Sequence, residues 1–205
     1  PTGRGEHASA FEHCNGRIVL FGGNDFQPEE CADFGPKRFS GETWIYSLVH
    51  ENWVKLTTET APSPRGRHRM VFDESRKRVL LFGGRFRDEN ASFTTPYNLY
   101  NDLWAFSANE DRWIELSTTG TGPSPRTNSA MVYDAGNDNL VLFGGSTSPT
   151  GTEFTPMDDT YILDLQARVW RKLDTPGPSA RLFHEMVYLS DLNAVMLYGG
   201  GGANA

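Results

Sequence analysis

Four short apolar runs punctuate the chain, and each ends on two glycines. They are Ile18-Val19-Leu20-Phe21-Gly22-Gly23, Val79-Leu80-Leu81-Phe82-Gly83-Gly84, Leu140-Val141-Leu142-Phe143-Gly144-Gly145 and Val195-Met196-Leu197-Tyr198-Gly199-Gly200. Eighteen residues before the first glycine of each stands an arginine: Arg4, Arg65, Arg126 and Arg181. A pattern held four times in one frame is an internal repeat. A polar segment of variable length follows each glycine pair, then an acidic residue and an aromatic-rich strand: Glu42-Thr43-Trp44-Ile45-Tyr46, Asp102-Leu103-Trp104-Ala105-Phe106 and Asp159-Thr160-Tyr161-Ile162-Leu163. Seven residues further on come Trp53, Trp113 and Trp170, each with a leucine three residues later. The unit predicts four strands, A to D. Strand A follows the arginine (around Met70 to Phe72), B ends at the glycines, C carries the aromatics and D starts at the tryptophan. An unbroken apolar strand B suits a strand covered on both faces. Strand D mixes apolar residues with Lys55, Glu115 and Lys172, as an outer edge would.

Composition narrows the class without changing this pattern. The chain has 205 residues, 12% aromatic and 22% charged, with 21 glycines and 12 prolines, which describes many strands and turns rather than disorder or long helices. A formal charge of -7 disfavours nucleic acid as a partner, because phosphate binding needs a basic surface. No apolar run has membrane-spanning length, so no membrane insertion is expected. Two cysteines, Cys14 and Cys31, make neither a disulfide framework nor a four-ligand zinc site. An intracellular location, cytoplasmic or nuclear, is the expectation from that cysteine usage. The sequon Asn90-Ala91-Ser92 is compatible with secretion.

Four-stranded sheets packed face to face around an axis form a β-propeller. The double glycine, the strand C aromatic, the tryptophan seven residues later and the Arg-x-x-His before strand A together resemble the kelch family of propellers. The last element stands as Arg4/His7, Arg65/His68 and Arg181/His184, with Ser129 in the histidine slot after Arg126. The long segments after the glycines, and Tyr100-Asn101-Asp102-Leu103-Trp104, are more similar to stand-alone kelch-domain proteins than to BTB-kelch adaptors. The expected fold is all-β: one kelch-type propeller domain over 1–205, with antiparallel blades at about 4–64, 65–125, 126–180 and an incomplete 181–205. Three full blades and half of a fourth imply further blades from the same longer chain. The resemblance implies six or seven in all.

Alternating strand directions place the B–C and D–A loops on one face. The B–C loops, about 24–42, 85–101 and 146–158, exceed ordinary connection lengths. They carry Phe26, Phe34 and Phe39, then Arg85, Phe86, Arg87, Phe93, Tyr97 and Tyr100, then Phe154 and Met157. Aromatics and arginines are common interface anchors; equally, these rings fold back to pack the loops. Arg67, Arg85 and Arg87 lie outside the repeat frame, so they are the arginines expected to touch a partner, whereas the four in-frame arginines are expected to be structural. In some kelch proteins, arginines on this face hold acidic peptides, and the resemblance carries that possibility here. The expected partner-binding set is therefore Arg67, Arg85, Phe86, Arg87, Phe93, Tyr97, Tyr100, Phe26, Phe34 and Phe39.

His7, His68 and His184 recur at one slot. Neighbouring packed sheets lie about 10 Å apart while a metal needs nitrogens at about 2 Å, so a structural role is expected and neither metal nor cofactor. No G-x-S-x-G, H-E-x-x-H or EF-hand pattern occurs, so no catalytic residue is assigned. A non-catalytic protein-interaction scaffold is the leading expectation. Two alternatives stand beside it: a kelch-fold enzyme acting on a sugar or small metabolite, with its site in blades outside this sequence, and a structural subunit of a large assembly.

Overall fold

The computed structural model describes residues 1–24, 38–92 and 94–202. The first blade comprises β1 (Ala8–Glu12), β2 (Arg17–Phe21), β3 (Thr43–Ser47) and β4 (Asn52–Leu56), antiparallel in that order. The second comprises β5 (Arg69–Asp73), β6 (Arg78–Phe86), β7 (Asn98–Ser107) and β8 (Arg112–Glu115). A two-residue strand, β9 (Thr119–Gly120), precedes the third blade of β10 (Ala130–Asp134), β11 (Asn139–Phe143), β12 (Thr160–Asp164) and β13 (Val169–Leu173). Last come β14 (Leu182–Leu189), a 3-10 turn at Ser190–Leu192 and β15 (Ala194–Gly201), paired as a hairpin. The strand-A elements β1, β5, β10 and β14 touch in succession, so they line the inside of an arc.

The core lies between blades. Along β6 the side chains alternate: Val79 and Leu81 pack with Val19, Phe21 and Ile45 of the first blade, while Leu80 and Phe82 pack with Leu140, Leu142 and Leu163 of the third. All four of these β6 residues are buried, which is why strand B shows no polar alternation. The repeat tryptophan fills the gap to the preceding blade. Trp113 meets Phe21 edge-on at 5.3 Å between centroids and donates its indole N–H to Thr43 Oγ1 at 2.9 Å. Trp170 meets Phe82 in the same way at 5.9 Å. Trp53 has no blade before it among the described residues and is partly exposed. Strand D is wet in the first blade, where β4 buries no residue fully.

Main-chain bonds also join the blades. The second glycine of one blade donates its N–H to the carbonyl of the next repeat arginine: Gly23 to Arg65 at 2.8 Å, Gly84 to Arg126 at 3.0 Å and Gly145 to Arg181 at 2.9 Å. These glycines have φ of 94°, 101° and 91°, in the region that favours glycine. A β-carbon on Gly22 would stand 2.6 Å from the Arg65 carbonyl oxygen, so the neighbour approaches as closely as a missing side chain allows.

Two details depart from the sequence pattern. β6 continues through its glycines to Phe86 and β7 begins at Asn98, so the second B–C loop narrows to 87–97 and Arg85, Phe86 and Tyr100 lie in strands. The register shifts between Phe82 and Gly84, which lets the ladder resume as Gly84↔Tyr100. The basic hairpin Arg76-Lys77-Arg78 is tied down by acids: Arg76 pairs with Asp138 of the third blade at 2.6 Å, and Arg78 with the fully buried Asp73 at 2.8 Å.

Candidate interaction face

Each in-frame arginine ties its own blade together. Arg65 donates to the Gly83 carbonyl at 3.0 Å and grips both carboxylate oxygens of Asp102 at 2.6 and 2.8 Å. Arg126 does the same with Gly144 and Asp159, whereas Arg4 donates to the Gly22 carbonyl and to one oxygen of Glu42, whose other oxygen takes Lys55. Arg181 keeps the bond to the Gly199 carbonyl, with no carboxylate partner among the described residues. The acid opening strand C is thus the second half of the motif; its fixed place eleven residues before the repeat tryptophan is the signal in the sequence that could have revealed the pair. Lys55 and Trp44, joined by Arg4, hold the Glu42 carboxyl down at about 2 against the cost of burying it.

The repeat histidines pack on the preceding blade. His184 Nε2 lies 3.1 Å from the Phe143 carbonyl oxygen, its ring edge-on to Phe143. His68 holds the same slot against Phe21, but neither ring nitrogen reaches a partner in good hydrogen-bond geometry. The Phe21 carbonyl therefore supports a proton only weakly. Burial, helped by the Arg65 charge, pushes His68 down to about 3, leaving it neutral near pH 7.

Two residues after each arginine the chain takes a left-handed turn without glycine. Glu6, Arg67, Asn128 and Phe183 have φ of 59°, 57°, 57° and 60°. Their main chains are linked in series, Arg67 N–H to Glu6 carbonyl at 2.8 Å, Asn128 to Arg67 at 3.3 Å and Phe183 to Asn128 at 3.3 Å. One strained backbone conformation thus presents four different side chains where the inner strands begin. Non-glycine residues pay about 1 kcal/mol or more for this conformation.

The position just before this turn pairs the D–A and B–C loops. Gly5 bridges Asn24, Gly66 bridges Arg85, and Thr127 bridges Ser146. This brings Arg85 beside Arg67 on one carboxylate: Glu6 Oε1 accepts from Arg67 Nε at 3.1 Å and from Arg85 Nη2 at 2.9 Å. Arg67 Nη1 and Arg85 Nε are buried without a hydrogen-bond partner among the described residues. Burial first, then the Arg85 charge, pulls the Arg67 guanidinium below its ordinary value, while Glu6 works the other way. Arg85 and Arg87 lie over the Tyr97 ring at 4.1 and 4.2 Å, and Arg87 also donates to the Thr95 carbonyl. Phe154 and Phe183 stack edge-on at 5.6 Å, with Arg67 within 6 Å of both rings.

The expected contact residues therefore divide. Arg67, Arg85, Arg87 and Tyr97 come together, and Phe39 and Phe86 pack against each other, with Phe39 also against Tyr97. Arg85, Tyr97 and Phe39 are nearly fully buried in the process. Tyr100 instead lies under Arg65, 4.0 Å from ring centre to guanidinium carbon, within the structural motif. Phe26, Phe34, Phe93 and Cys31 fall outside the described residues, and Cys14 is exposed and free. Glu6, Asn128 and Phe183 are the members of this face that sequence reasoning missed, because a left-handed backbone leaves no mark on residue type when glycine is absent. Among the described residues no group of His, Cys, Asp and Glu is arranged to hold a metal, and no helix is long and apolar enough to cross a membrane.

Four-stranded antiparallel sheets, joined through inner strands and glycine-pair junctions, define a kelch-type β-propeller. The chain belongs to the KLHDC2/KLHL20/DRC7 Kelch-repeats domain family, whose model matches residues 1–203. It is 26% identical over 210 residues to Mei4-dependent protein 6 of Schizosaccharomyces pombe, covering 96% of this chain and 28% of that protein. It is 27% identical over 203 residues to human Host cell factor 2, covering 91% and 23%. Dynein regulatory complex subunit 7 of Chlamydomonas reinhardtii is 32% identical over 122 residues, covering 60% and 10%. The chain thus spans under a third of each of these relatives. A solved structure entitled "Structure of YjhT" shares the fold, with a TM-score of 0.66 at 18% identity, over 92% of this chain and 57% of that one.

Proposed function

We propose that this propeller is a non-catalytic protein-interaction scaffold whose B–C/D–A face holds a partner segment bearing an acidic group beside an apolar side chain. The observation that carries the reading is the charge imbalance at Glu6: among the described residues one carboxylate serves two guanidiniums, of which Arg85 is enclosed and Arg67 remains partly accessible. A partner carboxylate would supply the missing charge. Next to it, Phe183 and Phe154 stack edge-on within 6 Å of Arg67, an apolar pair for the partner's side chain, with Phe183 in a strained backbone position. The opposite face offers less, because its hairpin arginines Arg17, Arg76 and Arg78 are all engaged with carboxylates. In the intact protein, Arg67→Glu and Phe183→Asp should each weaken capture of the physiological protein partners at least tenfold. Lys77→Glu on the opposite face should leave capture unchanged. Equal capture by all three variants would refute the reading.

Blades beyond these would complete the ring in this proposal. Tyr198, 81% exposed, and Met196, 48% exposed, occupy the strand-B slot whose counterparts Phe82 and Leu80 are buried between blades. The gene product should then exceed the 22.9 kDa of this sequence by intact mass measurement, and a mass equal to it would exclude completion within one chain.

A further inference from the structure

The second and third blades treat their outer edges differently. In the third blade, β9 lies parallel to β13, pairing Thr119 with Val169 and Gly120 with Trp170, and Thr119 donates its N–H to the Arg168 carbonyl at 2.9 Å. That approach depends on Gly120, whose φ is 80° and whose β-carbon would stand 2.3 Å from the Trp170 carbonyl oxygen. Counted back from the next arginine, Glu59 occupies the Gly120 place in the preceding connector. A side chain there blocks the same pairing. Among the described residues, no strand accordingly covers the outer edge of β8.

A groove of about 640 Å³ remains between β8 and the connector at 57–60. The Leu116 N–H bonds to the Leu103 carbonyl, and residues pair alternately along β7 and β8. The main-chain groups of Trp113 and Glu115 therefore point outward. The Trp113 carbonyl accepts from Thr60 Oγ1 at 2.8 Å, which leaves its N–H and the Glu115 groups facing the groove. Trp104 and the 41% exposed Ile114 supply apolar wall; Glu110 pairs with Arg112 and Asp111 with Arg17, which leaves the Glu59 and Glu115 charges as the groove's acidic excess.

We infer that this edge accepts an extended, lysine- or arginine-bearing segment of a partner protein, added parallel to β8 as β9 is added to β13. Strand addition draws affinity from main-chain bonds and specificity from flanking side chains. The acidic lining selects a basic segment, and the site is separate from the arginine-rich face proposed above.

The test uses the intact protein and a synthetic peptide in which the 117–122 sequence, Ser-Thr-Thr-Gly-Thr-Gly, is flanked by one lysine on each side. A counterpart carries glutamates in place of the lysines. The lysine peptide should perturb the amide resonances of residues 111–115 and bind at least tenfold more tightly than the glutamate peptide. Glu115→Pro removes an outward N–H without touching the ladder to β7 and should weaken binding at least tenfold. The charge-reversed Glu59→Lys/Glu115→Lys protein should do the same, and it decides the matter should the proline variant fail to fold. Equal binding of both peptides, unchanged affinity in the variants, or self-association through β8 that Glu115→Pro dissolves would each overturn the inference.

Discussion

Replacing Arg126 with methionine should lower folding stability by roughly 3–5 kcal/mol, the range for breaking a buried ion pair from one side. Arg126 is 1% exposed and holds the Asp159 carboxylate with two N–H groups, at 2.6 and 3.0 Å. It also bonds the Gly144 and Ser124 carbonyls, each at 3.0 Å. The variant leaves a carboxylate that is 6% exposed without its counter-charge, beside main-chain acceptors that water reaches poorly. Arg112 provides the comparison, because its ion pair with Glu110 lies between two exposed side chains. Arg112→Met should cost about 1 kcal/mol or less, as surface contacts do. Urea unfolding of the two variants reads the difference, and equal losses would mean that the ion pair contributes nothing beyond packing.

Alanine at Gly145 should be comparably damaging, by about 3 kcal/mol or more. Its φ of 91° is already costly for an L-residue, and the added β-carbon would lie 2.5 Å from the Thr127 carbonyl oxygen and 2.8 Å from the Ser129 nitrogen. Neither atom can step aside easily: the Thr127 carbonyl accepts from Ser146 N–H at 2.8 Å, and the Gly145 N–H is itself the junction to the next blade. Gly5→Ala tests the specificity of the argument. Nothing lies within 4 Å of a β-carbon there, and Thr127 already shows that the equivalent slot tolerates a side chain. That change should stay within about 0.5 kcal/mol. Thermal unfolding that ranked the two alanines equally would contradict the account.

How much of this was legible in the sequence depends on whether a feature repeats. The glycine pairs, Trp113 and Trp170, and the buried His68 and His184 recur at fixed offsets, so a structural demand at one copy is visible at all of them. The partnership of Arg65 with Asp102 was within reach because the acid keeps its place before each repeat tryptophan, yet both halves were seen separately because the loop between them varies, with separations of 38, 37 and 33 residues in the three copies. Arg85 and Tyr97 were expected at the interaction face on residue type and loop position. Type alone could not tell that both would be nearly fully buried against Glu6 and Arg87. The pairing of β9 with β13 rests on one glycine at one connector, with no second copy to announce it. The left-handed turn shared by Glu6, Arg67, Asn128 and Phe183 is a repeat of backbone rather than of side chain, and no residue pattern records it.

The junction between blades also bears on how such a chain changes over generations. Each repeat brings both halves of its coupling, a glycine N–H for the blade after it and an arginine carbonyl for the blade before it. A duplication or deletion of one whole repeat in the coding sequence would therefore leave every surviving junction with a donor and an acceptor. Shorter changes are absorbed in the loops after the glycine pairs, as the 55-residue step from Arg126 to Arg181 against 61 for the two before it shows. Inheritance of this architecture is quantised by its hydrogen bonds, in steps of about sixty residues.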